Sequence, residues 1–151
     1  MSLLSCASGA SIWRGYDYFQ QQRVSAYEQL DDSRIMGAVR GSDGTLYITT
    51  IDLAHPRRSK CDCPHANGRR IICKHMVALF FTAYPDEAEQ FHRDAMSAEE
   101  ELEQYQAEVH ERVVRRIMRM KKAELQQTLL NLLDSGPEWQ FDHFVRDEGL
   151  W

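Results

Sequence analysis

Two pairs of metal-type side chains sit within fifteen residues of this chain: Cys61-Asp-Cys63, an interval of nine residues, and Cys73-Lys-His75. Nothing else in the sequence restricts the fold as tightly. A tetrahedral Zn²⁺ takes thiolate and imidazole donors at about 2.0–2.3 Å, and two short pairs joined by a loop supply four of them without a distant contact. Pro64 and Gly68 are turn residues that let the interval reverse. The run Met76 to Tyr84 is apolar enough for a buried helix. Cys73 and His75 are therefore expected at or just before its first turn, where the helix N-terminus favours thiolate over thiol.

Two other uses of these cysteines fit less well. As ordinary core residues they are flanked too closely by Arg58, Ser59, Lys60, Asp62, Arg69, Arg70 and Lys74. As disulfide partners, Cys61 and Cys63 are poorly placed to bridge each other, and nothing else suggests an oxidising compartment. His65, two residues past Cys63, is the alternative to His75 as fourth ligand, and His55 is a weaker one. His92, His110 and His143 read as surface histidines, and Cys6 lies outside the metal set near the N-terminus. Four protein ligands close a zinc site to water, so the expected role is structural rather than catalytic.

A C-x-C pair, a loop and a C-K-H triplet leading into an apolar helix resemble the SWIM-type zinc finger, in a small protein of bacterial type. Arg23-Val24, a hairpin around Gly41-Ser42 and the run Tyr47 to Ile51 match that family's lead-in, so the resemblance covers residues 11–84. It implies zinc bound by Cys61, Cys63, Cys73 and His75 in a ββα-like finger, and a role in DNA or protein interaction. Such modules occur in mutator-type transposases, in proteins linked to helicase-like chromatin-remodelling ATPases, and in ubiquitin-pathway proteins.

With 151 residues, 43% hydrophobic and 27% charged, the chain suits one compact domain, or a small domain with an appendage. Three cysteines committed to a metal indicate a reducing interior. There is no basic-then-apolar leader and no long apolar run, so cytoplasmic location and no membrane partner are expected. The net charge of −5 conceals an asymmetry. Residues 1–84 carry ten Lys/Arg against seven Asp/Glu, whereas residues 85–151 carry eight against sixteen. Around the ligands, Arg57, Arg58, Lys60, Arg69, Arg70 and Lys74 oppose only Asp62. The finger is a basic island on an acidic chain, and those six cations are the candidate contacts to a partner.

Read in order, Ser11 is a candidate cap for a helix carrying Ile12, Trp13, Tyr16 and Phe19, weakened by Gly15 by about 1 kcal/mol relative to alanine. Three strands follow, around Val24–Leu30, Ile35–Val39 and Leu46–Leu53, the last placing Tyr47, Thr49 and Ile51 on one face. Gly41-Ser-Asp-Gly44 is the hairpin turn between the second and third. Pro85 is expected to stop the finger's helix, and Ser97-Ala-Glu-Glu100 reads as a capping box for a new one. Leu102, Tyr105, Val109, Val113, Ile117 and Met120 then step by three or four along one helix face. Lys121-Lys122 interrupts that helix, a second runs from Ala123 to Leu133, and Gly136-Pro137 opens a third with Trp139, Phe141, Phe144 and Val145.

The expected class is α+β: an N-terminal helix, a small antiparallel sheet and a zinc-clamped helix, then an all-helical part. The domains expected are a finger over 11–84 and a helical extension over 85–151, packed back on the finger or used for homodimerisation. No heptad is sustained over three repeats, which disfavours a long coiled coil. The functional expectation is a non-enzymatic zinc module contacting a protein in a nucleic-acid-processing complex, possible company being a helicase-like ATPase. Direct DNA binding through the basic surface is the alternative. A zinc hydrolase is the remote one, since no phosphate-binding glycine loop, nucleophile elbow or open metal site stands in the sequence.

Overall fold

The structure, a computed structural model, describes residues 2–150. It divides after Met96 into two compact units. The first unit opens with a 3₁₀ turn, Leu4–Cys6, in which Cys6 packs at the margin of the core. Helix α1 follows over Gly9–Gln20. Its cap is Ser8 rather than Ser11: the Ser8 hydroxyl accepts a hydrogen bond from the Ser11 amide at 3.2 Å. The helix thus begins one turn earlier than its aromatic periodicity suggests.

Strands β1 (Val24–Gln29), β2 (Arg34–Arg40), β3 (Leu46–Asp52) and the two-residue β4 (Lys60–Cys61) form one antiparallel sheet in sequence order. The turn between β1 and β2 is organised by Asp31, whose carboxylate accepts from the amides of Ser33 and Arg34 and from the Arg34 guanidinium. The Ser33 amide, helped by the Arg34 side chain, lowers the Asp31 carboxyl to about 2. Between β2 and β3 the chain reverses at Gly44, whose φ of +84° suits glycine. Ile35, Val39, Thr49 and Ile51 point inward and are fully buried, as the period-2 pattern of a half-covered sheet requires.

Helix α2 (Lys74–Ala83) covers that inner face, and every residue from His75 to Phe81 is buried. It packs on the sheet at Gly37, where an added Cβ would lie 2.6 Å from Leu79, and on α1 at Gly15, where it would lie 2.5 Å from Val77. The glycine that weakens α1 as a helix is thus what lets α2 approach it. A 3₁₀ turn at Pro56–Arg58 leads from β3 to β4.

Helix α3 starts at Pro85, directly after α2, and runs unbroken to Arg119. No helix begins at Ser97; that capping signal lies inside α3. The start is made earlier, where Pro85, Asp86 and Glu87 fill the first turn. Ala88 is fully buried, and the Phe91 ring lies 4.9 Å from Trp13 and 5.6 Å from Phe81. The second unit holds the rest of α3 with α4 (Lys122–Ser135) and α5 (Glu138–Asp147). The break before α4 falls at Met120–Lys121, where the Lys121 amide donates to Glu124 at 2.8 Å. Neither α4 nor α5 has a buried residue. Among the described residues no helix is long and apolar enough to cross a membrane.

Candidate metal centre

Each ligand position is set by a different piece of local structure. Cys61 ends β4, paired across the ladder with Thr49 of β3. Cys63 opens a tight turn in which its carbonyl accepts from the amides of Ala66 (3.0 Å) and Asn67 (2.9 Å). Gly68, at φ +72°, completes the reversal that the interval was expected to make. The returning chain is anchored by a parallel bridge between Ile72 and Ala7. Cys73 is the extended N-cap residue of α2, and His75 lies in that helix's first turn.

These elements gather Cys61, Cys63, Cys73 and His75 into one buried cluster whose donor atoms all lie within 4.8 Å of one another. The His75 Nδ1 is 3.7 Å from Cys61 Sγ and 4.0 Å from Cys73 Sγ. Tetrahedral zinc separates such donors by about 3.5–3.8 Å, so the set fits the ion with a small contraction. Nδ1 faces the sulfurs, making it the ligand atom. Nε2 is buried with no hydrogen-bond partner among the described residues, between the rings of Tyr47 (4.8 Å) and Tyr18 (5.5 Å). His65 is exposed and outside the cluster, so it does not take His75's place.

The electrostatics match a site built for a cation. Hydrogen bonding from Cys73, with further help from His75 and Thr49 and against the penalty of burial, lowers Cys61 to about 4. Cys73 is raised because its proton is held in the bond to Cys61 and because it is buried; Cys63 is raised chiefly by burial. Cys61 is thus the thiol whose charged form its neighbours favour, and three buried thiolates need a cation to balance them. Thr49, whose hydroxyl donates to Cys61 Sγ at 3.2 Å, is a supporting residue that ligand spacing does not reveal. Its signal was its inward position on β3, visible only once β4 is known to pair there.

The basic residues separate into two places. Arg57, Arg58, Lys60, Arg69 and Arg70 are exposed and line one broad concavity, together with Arg34, Leu30 and Ile48. None of those five cations has an ion-pair partner among the described residues. The nearby carboxylates are occupied by backbone: Asp62 accepts from the Ile48 amide and Asp52 from the His55 amide. Lys74 does not join them; it is half-buried, its ammonium 4.5 Å from the centre of the Tyr18 ring, with Arg23 at 4.6 Å from the same ring.

In comparison with known protein families, residues 47–84 fit the family model of the SWIM zinc finger. The matched span starts with β3 and ends with α2, so it contains the four ligands and the loop between them. Comparison with curated proteins and with solved structures gives no match. With a Cys₃His cluster of this geometry inside the matched segment, the chain carries a SWIM zinc finger that binds zinc.

Proposed function

We propose that this protein is a non-enzymatic interaction module whose finger presents the concavity around Arg57, Arg58, Lys60, Arg69 and Arg70 to a protein partner in a nucleic-acid-processing complex. The observation that carries this reading is the pairing of two properties on one surface. The metal ligands are buried at 4% exposure or less, so the ion is enclosed and suited to holding structure. The loop it closes carries Arg69 and Arg70, and the turn and strand before it carry Arg57, Arg58 and Lys60, all five exposed and unpaired among the described residues. The zinc sets the turn from Cys63 to Cys73, and the turn sets where Arg69 and Arg70 stand.

The same concavity includes Leu30 and Ile48, which are 43% and 50% exposed, and Leu46, on the same face of β3 as Ile48, is 47% exposed. Mixed apolar and cationic surface is the composition of a protein interface, whereas a nucleic-acid groove is dominated by charge. A reducing compartment keeps three cysteines available to a metal, which supports the cytoplasm as the module's location.

Direct DNA binding is the second reading, favoured by the unpaired cations alone. A salt titration of nucleic-acid affinity, with wild type and Arg69→Glu/Arg70→Glu, separates the two. DNA binding through this surface would show log K falling steeply with log salt and a slope reduced by about two in the variant. A flat response, with loss of a protein partner from pull-downs by the variant, supports the protein reading.

A further inference from the structure

The segment of α3 in the second unit has a symmetry that the finger does not explain. One stripe of its apolar residues, Leu102, Tyr105, Val109, Val113 and Ile117, continued by Met120 just past the helix end, is spaced three, four, four, four and three, a pattern that reads the same in both directions about Glu111; Val114 and Met118 lie off this stripe. At 100° per residue Glu111 itself lies on the far side of the helix from this stripe. The stripe is uncovered: Leu102 is 56% exposed, Tyr105 61% and Val113 49%.

The charges change sign at the same point. Residues 99–111 hold six glutamates and no Lys or Arg; residues 112–122 hold six Lys/Arg and no Asp or Glu. Segregation in blocks defeats the usual i,i+4 pairing within a helix. Within this stretch of α3 the described ion pairs are Glu111–Arg115 at the junction and Arg116 reaching Glu124 beyond the helix end. The other glutamates of 99–111 and arginines of 112–119 have no ion pair among the described residues.

We propose that this face of α3 pairs with the same face of a second copy of this chain, antiparallel, about a two-fold axis near residues 110–111. In that arrangement Leu102 meets Met120 of the second copy, Tyr105 meets Ile117, and Val109 meets Val113. The acidic half of each helix lies along the basic half of the other. A two-fold axis perpendicular to the helices sets each flank of the stripe against the same flank of the other copy. Glu101, Glu108, Arg112 and Arg119 share one flank, so Glu101 faces Arg119 and Glu108 faces Arg112. A parallel pair would set like charge against like along the whole segment, so charge decides the orientation. Arg116 falls within the stripe, opposite Gln106, and its link to Glu124 at 3.9 Å draws the guanidinium toward the helix end. Such a dimer carries two fingers and engages a repeated partner bivalently.

Sedimentation equilibrium on the full zinc-loaded chain tests this, using variants that keep wild-type zinc content and helical CD. The wild type is expected to dimerise, and Val109→Asp/Val113→Asp to be monomeric. Glu101→Arg/Glu108→Arg and Arg112→Glu/Arg119→Glu should each associate at least about tenfold more weakly. Mixed one to one, those two should pair with each other, because a basic flank then meets an acidic one. The fourfold variant E101R/E108R/R112E/R119E restores complementarity in the antiparallel pair only and should dimerise again. A wild type that stays monomeric to about 0.1 mM overturns the proposal. So do charge variants that dimerise as well as wild type, a fourfold variant that remains monomeric, or a stripe that is instead covered by another protein's helix.

Discussion

Helices α2 and α4 both carry bulky apolar side chains, yet seven of the ten residues of α2 are buried and none of the fourteen of α4 is. Propensity does not separate them. What differs is their surroundings. Helix α2 enters directly from two metal ligands and is enclosed by α1 on one side and the inner face of the sheet on the other, so apolar side chains all round it find cover. Helix α4 has leucines at 125, 129, 130 and 132 and no sheet of its own unit to lie on. An apolar stripe states which face needs cover; it does not state what supplies it. The first unit answers from within its own fold, whereas α4 keeps Leu125, Leu129, Leu130 and Leu132 exposed.

The largest test of this contrast is the metal. Cys61→Ser, His75→Ala or chelation should unfold the first unit, because structural zinc supplies on the order of 10 kcal/mol. The helical signal from the second unit should persist, since none of its residues depends on the site. Loss of near-UV CD with partial retention of far-UV CD is the expected result, and an unchanged thermal transition after chelation would count decisively against a structural role.

Next in size are matched truncations. Phe81→Ala removes a fully buried ring that touches Tyr16, Phe19 and Phe91 and should cost about 3–5 kcal/mol in denaturant unfolding. Leu130→Ala, at 54% exposure, should change stability by no more than about 0.5 kcal/mol. Equal costs would erase the distinction between the units.

Gly15→Ala sets two effects against each other. Helix propensity favours alanine by about 1 kcal/mol, but the new methyl lands 2.5 Å from Val77, and overpacking of that kind costs about 1–3 kcal/mol. Net destabilisation is expected, and stabilisation would mean that α1 and α2 separate easily. The smallest effect on the fold should come from Thr49→Val, which removes the hydroxyl donated to Cys61 Sγ. Loss of a supporting hydrogen bond typically weakens metal affinity about 10–100-fold, readable by competition with a chromophoric chelator while the fold is retained.

Much of the fold was legible because its signals are local. Strands β1 to β3, the reversal at Gly44, the placement of Cys73 and His75 at the start of α2, and the break near Lys121 each follow from residues a few positions apart. The α1 cap, which falls on Ser8 rather than Ser11, is a local correction; the others depend on partners distant in sequence. Ser97-Ala-Glu-Glu100 has the composition of a helix start, but Ala88 and Phe91 already hold α3 against the first unit, and a helix once nucleated continues through a weak stop. By sequence Lys74 is one more cation of the basic island, but its ammonium lies over the Tyr18 ring of α1.

By itself the sequence determined which four side chains would cluster, because a zinc site is written in residue type and close spacing, and it determined where the charge lies. Only the tertiary structure decided that Lys60–Cys61 forms a fourth strand, that Thr49 thereby reaches Cys61, that Gly15 is a contact point rather than a flaw, and that five of six basic residues share one surface. Those outcomes arise from pairings across tens of residues. Each requires the chain to close a long loop before the contact can form, and no short window of sequence records which closure occurs.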